Sequence, residues 1–167
     1  MKTSNGIYFL EFNYRFVIPE VPVLLTLLDS DLYTIFSKCI NGRVLSIKWK
    51  TRFVSNVVLF HLDYPLSKSK TPLPIEFTKP SDPSISLFWS NLQIIGNIYY
   101  TNGCRVVSVV CHKPYLFESI YTIYNNIYKI KYQDCYFRKD IGLKQLTEKQ
   151  NNSRRFKIDI FWWNQWH

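Results

Sequence analysis

Leu116, Phe117, Ile120, Ile123, Ile127 and Ile130 recur at intervals of three or four residues. This matches the 3.6-residue turn of an α-helix, so the side chains share one side and leave Asn125, Asn126 and Lys129 outside. Such a helix holds in water only if its stripe is buried, so the rest of the chain must supply an apolar surface for it. Pro114 stands where a first turn needs no amide donor, and Glu118 lies near the positive end of the helix dipole. Beyond Lys131 the rhythm stops and 136–157 is dense in Lys and Arg, so 113–141 reads as a buried helix ending in a basic arm.

The surface to receive that helix is predicted upstream. In 44–53, Leu45, Ile47 and Trp49 alternate with Ser46, Lys48 and Lys50, which is strand periodicity. Residues 57–64 alternate as well, so the two runs are predicted to form a hairpin turning at Ser55 and Asn56. His61 has no sequence-local nucleophile or carboxylate partner and reads as an ordinary strand histidine. Prolines crowd 65–84 and leave room only for a short strand at 75–77. Residues 85–89 alternate, and 92–101 and 104–111 flank Asn102 and Gly103, a dipeptide that predicts a second hairpin. Before these elements, 6–17 is expected to hold a strand or two, and 23–40 a helix interrupted at Asp29 or Ser30 and closed by Asn41 and Gly42. The predicted class is α+β: an antiparallel sheet with a helix packed on one face, and possibly a second, reduced α+β domain at the N-terminus. The expected divisions are 1–34, 35–141 and a basic, Trp-rich 142–167.

Charge is unevenly placed. The net charge is +9, and 129–157 holds nine Lys or Arg against Asp134, Asp140 and Glu148. That concentration suggests a polyanionic partner, with nucleic acid ahead of membrane because no long basic amphipathic helix accompanies it. Cys39, Cys104, Cys111 and Cys135 include no Cys-x-x-Cys pair and have no His at ligand spacing, so they read as reduced apolar side chains rather than metal ligands. No apolar run is long enough to span a membrane. Residues 1–14 resemble neither a secretory signal nor an Arg-rich transit peptide, so the protein is expected to be made where it works. A Gly-rich phosphate loop, a nucleophile set in motif context and a carboxylate pair are all absent from the sequence. The expectation is a non-enzymatic protein with no cofactor and no small-molecule substrate.

Several stretches follow an order with a known counterpart. Residues 35–42 run as a helix into Gly42; Ile47, Lys48, Trp49, Lys50, Thr51 and Arg52 end one strand; Leu62, Asp63, Tyr64, Pro65 and Leu66 end the next. Pro74 and Ile75 follow. After the second hairpin and the helix come Ile127 and Tyr128, then Tyr136, Phe137, Arg138, Lys139, Asp140 and Ile141. In this order the chain resembles a strongly diverged organellar member of the large-subunit ribosomal protein six family, with Ile127, Tyr136, Lys139 and Ile141 as the chief identities. Asp63 and Asp140 replace family glycines.

The resemblance implies a structural protein of the mitochondrial large ribosomal subunit, encoded in the organelle and sitting near the sarcin-ricin stem. Its partners would be large-subunit rRNA and neighbouring ribosomal proteins. The rRNA-binding residues are expected to be Lys131, Tyr136, Arg138, Lys139, Lys144, Lys149, Arg154, Arg155 and Lys157. Trp162, Trp163 and Trp166 are expected at a protein interface. The alternatives are a nucleic-acid-binding protein of a virus or plasmid with an A+T-rich genome, or an interaction subunit of an organellar complex.

Overall fold

The computed structural model describes residues 2–10, 15–17, 19–43, 46–65 and 71–149. In chain order the elements are β1 (Lys2–Thr3), β2 (Gly6–Ile7), α1 (Glu20–Leu27), α2 (Leu32–Ile40), β3 (Phe53–His61), β4 (Pro74–Phe77) and β5 (Ile85–Trp89). These are followed by β6 (Leu92–Ile95), β7 (Ile98–Thr101), β8 (Arg105–Lys113), α3 (Leu116–Asn126) with a 3-10 turn (Ile127–Lys129), β9 (Ile130–Lys131), β10 (Cys135–Tyr136) and α4 (Leu143–Lys149). Strands β10, β3, β8 and β5 form one antiparallel sheet in that order, and β6, β7, β4 and β9 form a second. The α+β class predicted from the sequence is the one found.

The first sheet is built on β3 and β8, paired from Phe53 opposite Lys113 to Leu59 opposite Val107. In β8, Val106, Val107, Ser108, Val109 and Val110 are all buried, the near-continuous apolar run of a strand covered on both faces. Val57, Leu59, Val107, Val109 and Cys111 share one face and meet Ile123 and Ile127 of the α3 segment together with Ile75 and Ile130 of the second sheet. The predicted stripe is therefore buried as its spacing required, except at Phe117, which is exposed. Leu59, Ile123 and Ile127 are fully buried, and each contributes about 1.5–3 kcal/mol of transfer free energy. Trp89 carries the core across to the second sheet, meeting the ring of Phe77 at 5.3 Å and that of Tyr99 at 6.4 Å. On the opposite face, α1 lies against β3, and Asn56 Nδ2 donates to the Pro19 carbonyl at 2.8 Å.

Neither predicted hairpin forms. Residues 46–52 make an extended connector tied to the corner between α1 and α2: Asp29 N–H donates to the Lys48 carbonyl, Lys50 N–H to the Leu27 carbonyl and Lys48 N–H to Ser30 Oγ. Its alternation is real, but with those groups spent on the helix corner it joins neither sheet, and Ile47 and Trp49 stay exposed. Ser55 and Asn56, expected to turn the chain, are buried inside β3 opposite Cys111 and Val110. Asn102 and Gly103 likewise turn no hairpin, because β7 before them and β8 after them lie in different sheets. The tight turn falls at Gly96 and Asn97, where Ile95 pairs with Ile98 and Gly96 adopts φ +61°. A two-residue Gly-Asn loop of this kind suits the strand twist, but it is hidden in sequence within one apolar run.

Other expectations hold. The break between α1 and α2 falls at Leu28 to Asp31, with Asp31 accepting from Thr34 N–H at 2.7 Å as the cap of α2. Gly42 closes that helix at φ +65°. Of the strand or two expected over 6–17, Gly6–Ile7 is found as β2 paired with β1, and 11–14 lie outside the described residues. The part of the basic arm within the described residues, up to Lys149, is built into the fold, since β9 joins the second sheet, β10 the first, and α4 follows.

The far end of β8 is clamped to the start of β5. Asp82 accepts from Ser84 N–H at 2.9 Å, from Ser84 Oγ at 2.6 Å and from Lys113 Nζ at 2.9 Å. The Ser84 hydroxyl, then the Lys113 ammonium, hold its carboxyl down from 3.8 to about 2. A carboxylate whose folded pKa is depressed stabilises the fold above its unfolded pKa and loses that contribution as pH falls through the folded value. Asp82→Asn should therefore cost about 1 kcal/mol at neutral pH, and the gap to the unaltered protein should close between about pH 4 and pH 2. Urea unfolding across that range measures it, and a gap independent of pH would remove the clamp.

Candidate functional site

Loops at the end of a rigid sheet are where reactive and binding groups gather. In the first sheet one such end is stitched from three chain crossings. Strand β3 bulges between Leu59 and Phe60, then His61 N–H donates to the Cys104 carbonyl at 2.9 Å and Leu62 N–H to the Asp134 carbonyl at 2.9 Å. After Trp89, Ser90 N–H donates to the Val106 carbonyl. Asn91 Nδ2 donates to the Arg105 carbonyl at 2.9 Å, while the Asn91 carbonyl accepts from Asn102 N–H at 3.1 Å. Gly103 lies under Asn91 at φ +149°, and a Cβ there would stand 3.0 Å from Asn91 Cγ. Only glycine combines that backbone with that approach.

Three side chains follow one another across the strands at this end. Arg105 of β8 pairs with Phe60 of β3, which pairs with Tyr136 of β10. The Phe60 ring meets Tyr136 at 5.3 Å and Tyr64 at 5.6 Å, and the Arg105 guanidinium stands 6.0 Å from the Tyr64 ring centre. Contact with an aromatic face restrains a guanidinium, a group whose planar donors suit planar or anionic ligands in general. Below them His61 is buried against the edge of Tyr132 at 5.2 Å. Desolvation lowers its pKa against the opposing pull of Asp134 and Asp63, so the ring is kept neutral.

Next to β10 the chain is pinned by Tyr124 of α3, whose hydroxyl donates to the Arg138 carbonyl at 2.8 Å and accepts from Ile141 N–H at 3.1 Å. Burial pushes the Tyr124 phenol up, so it stays protonated to do both. Within the pinned segment Arg138 forms a two-point pair with Asp140, Nε to Oδ1 at 2.9 Å and Nη2 to Oδ2 at 2.6 Å. That pair lowers the Asp140 carboxyl and fixes the plane of the Arg138 guanidinium.

Of the residues expected to bind RNA, Tyr136 comes to this end; Arg138 and Lys139 follow in the segment after β10 that leads away from it, Lys139 exposed. Lys131 lies elsewhere, in a groove of about 670 Å³ on the second sheet with Lys129, Glu76 and Tyr128. Lys144 is exposed on α4 and Lys149 ends that helix. Arg154, Arg155, Lys157, Trp162, Trp163 and Trp166 lie outside the described residues. The sequence reading missed Arg105, Asn91 and Tyr124, and took Gly103 for a hairpin turn. An Asn, a Gly and an Arg bracketing two strand ends was the signal available. Among the described residues no three His, Cys, Asp or Glu groups converge to hold a metal ion. Ser84, Cys111 and Asp82 adjoin one another, but Cys111 is buried with its thiol pushed up by burial, so the trio is a structural tie.

Two substitutions test this end. Gly103→Ala should destabilise by about 1–3 kcal/mol, and Asn91→Ala in the same chain should recover part of that loss by removing the Cγ and Nδ2 that crowd the new methyl. Strictly additive costs in a double-mutant cycle would refute the contact. Tyr124→Phe should cost about 1–2 kcal/mol and speed amide exchange at Ile141, while unchanged exchange would show that the hydroxyl pins nothing.

The model of the phosphoribosylglycinamide synthetase C domain family matches residues 54–144. The phosphoribosylamine–glycine ligase of Fusobacterium nucleatum is 31% identical over 147 residues, covering 85% of this chain and 34% of the ligase. That of Halalkalibacterium halodurans is 30% identical over 154 residues, covering 92% of this chain and 36% of the ligase. A bifunctional purine biosynthetic protein of Dictyostelium discoideum is 35% identical over 152 residues, 87% of this chain and 18% of that protein. The crystal structure of the Thermotoga maritima phosphoribosylamine–glycine ligase superposes with a TM-score of 0.70 at 23% identity, covering 84% of this chain and 35% of that one. The chain thus spans about a third of the length of these ligases.

These matches overturn the ribosomal resemblance and with it the non-enzymatic reading, the large-subunit rRNA and ribosomal-protein partners, and the absence of a small-molecule substrate. They equally overturn the viral or plasmid nucleic-acid-binding and organellar-subunit alternatives. The resemblance rested on element order, which many α+β chains share. Its identities include Ile127, fully buried under the first sheet, and Ile141, held by Tyr124, both positions set by packing.

Proposed function

This chain belongs to the family of the phosphoribosylglycinamide synthetase C domain, and from that premise we propose that it supplies the C-domain share of an enzyme joining phosphoribosylamine to glycine in purine biosynthesis. The observation carrying the reading is the extent of the family match, 54–144, which takes in all of α3, both four-stranded sheets almost entire, the loop end with Arg105 and Asn91, and the segment with Arg138.

One reactant named for the relatives is a phosphate ester and the other an amino acid, so both bring anionic oxygens that must be held while an amide bond forms. Guanidinium groups suit that task, since their planar donors meet phosphate or carboxylate at two points. Arg138 is oriented by its two-point pair with Asp140, and the Arg105 guanidinium stands against the Tyr64 ring. The buried His61, edge-on to Tyr132, serves packing in this scheme. The chain's share is thus to bind and orient, as one wall of a site completed by the rest of the ligase.

The test is a chimaera in which this chain replaces the matched third of the Fusobacterium nucleatum ligase. It should form the glycine amide of phosphoribosylamine above the level of the ligase lacking that third. A folded chimaera no more active than the truncated ligase overturns the reading. In an active chimaera, Arg105→Ala or Arg138→Ala should lower kcat/KM by about tenfold to a hundredfold, the size of one lost charge-assisted hydrogen bond.

A further inference from the structure

Helix α2 is amphipathic in an unusual sense. Its inner side is sealed by Ile35, while Tyr33, Phe36 and Ile40 recur at i, i+3 and i+7 along the outside, with Tyr33 80% and Ile40 84% exposed. Phe16 lies on Phe36 at 6.5 Å between ring centres and is itself exposed, which widens the stripe. Apolar side chains scattered singly over a surface need no partner, but a row along one helix face does. Matches reaching 92% of this chain necessarily include α1 and α2, although the family model begins only at residue 54. The helices therefore belong to the part of the ligases that adjoins the C domain, and about two-thirds of the ligase length lies outside this chain.

We propose that the outer stripe of α2, with Phe16, is the seam on which the remaining portion of the ligase docks, whether joined to this chain or separate from it. The inference rests on the ligase reading above. The occupant is a polypeptide with an apolar groove that takes the helix face, the recognition mode in which anchors at i, i+3 and i+7 carry the contact.

Hydroxyl-radical footprinting of Tyr33 and Phe36 tests the seam, with the same chimaera compared to this chain alone. Both rings should be reactive in the chain alone and protected in the chimaera. Replacing the stripe together, Tyr33→Ser, Phe36→Ser and Ile40→Ser, should leave the melting temperature of the chain alone unchanged and lower the chimaera's activity by about tenfold or more. Equal reactivity in both proteins overturns the proposal. So does protection already present in the chain alone, whether by its own residues as a monomer or by a second copy as concentration rises. An inactive chimaera that still protects both rings would sink the ligase reading and leave the seam standing. An active chimaera with reactive rings and a neutral triple substitution would do the reverse.

Discussion

Strands β3 and β8 hold the described part of the molecule together, because elements pack on both faces of their pairing. On one face Val57, Leu59, Val107 and Val109 receive α3 and the second sheet; on the other, Asn56 receives the chain entering α1. Side chains alternate along a strand, so slipping this register by one residue would send each core side chain to the wrong layer. The partners are far apart in sequence, Val57 opposite Val109, so the pairing forms against a loop-closure cost and is then secured by the apolar surface it buries.

The two ends of that pair are treated differently. At one, Asp82, Ser84 and Lys113 close a charged clamp whose groups serve one another. At the other, a bulge, a backbone only glycine adopts and a side-chain amide reaching a carbonyl bring three loops within hydrogen-bonding distance, with Arg105 at the rim. Bulges re-aim side chains and tend to lie beside functional sites. At the clamp opposite charges are paired with one another, whereas the other end gathers three loops beside Arg105, Phe60 and Tyr136, and that is the ground on which the proposed ligand-facing surface is placed there.

Much of the secondary structure and little of the site was legible in the residues. Period 3.6 determined a helix over 116–126 and its buried side, although 127–129 tighten into a 3-10 turn and Ile130 joins a strand; 75–77 was readable as a short strand among prolines, and the break near Asp29 or Ser30 and the close at Gly42 were readable too, because propensity, caps and periodicity are local properties. Strand partners were not local. Residues 46–52 alternate as well as any strand, yet their hydrogen bonds go to the corner of α1 and α2, while Ser55 and Asn56 look like a turn and sit inside a sheet. Asn102 and Gly103 show the same limit: composition determined that the backbone bends there, and only the burial of Val106 and Val109 in one sheet and Thr101 in the other decided that the bend crosses between layers. The site inherited this limit, since Arg105, Asn91 and Tyr124 acquire meaning only from neighbours that packing brings to them. What the sequence alone determined was which segments are helical and which apolar. Which edges meet, and hence which polar groups share an end, was decided by the tertiary structure, because the free energy of pairing two strands depends on what covers both faces once they are joined.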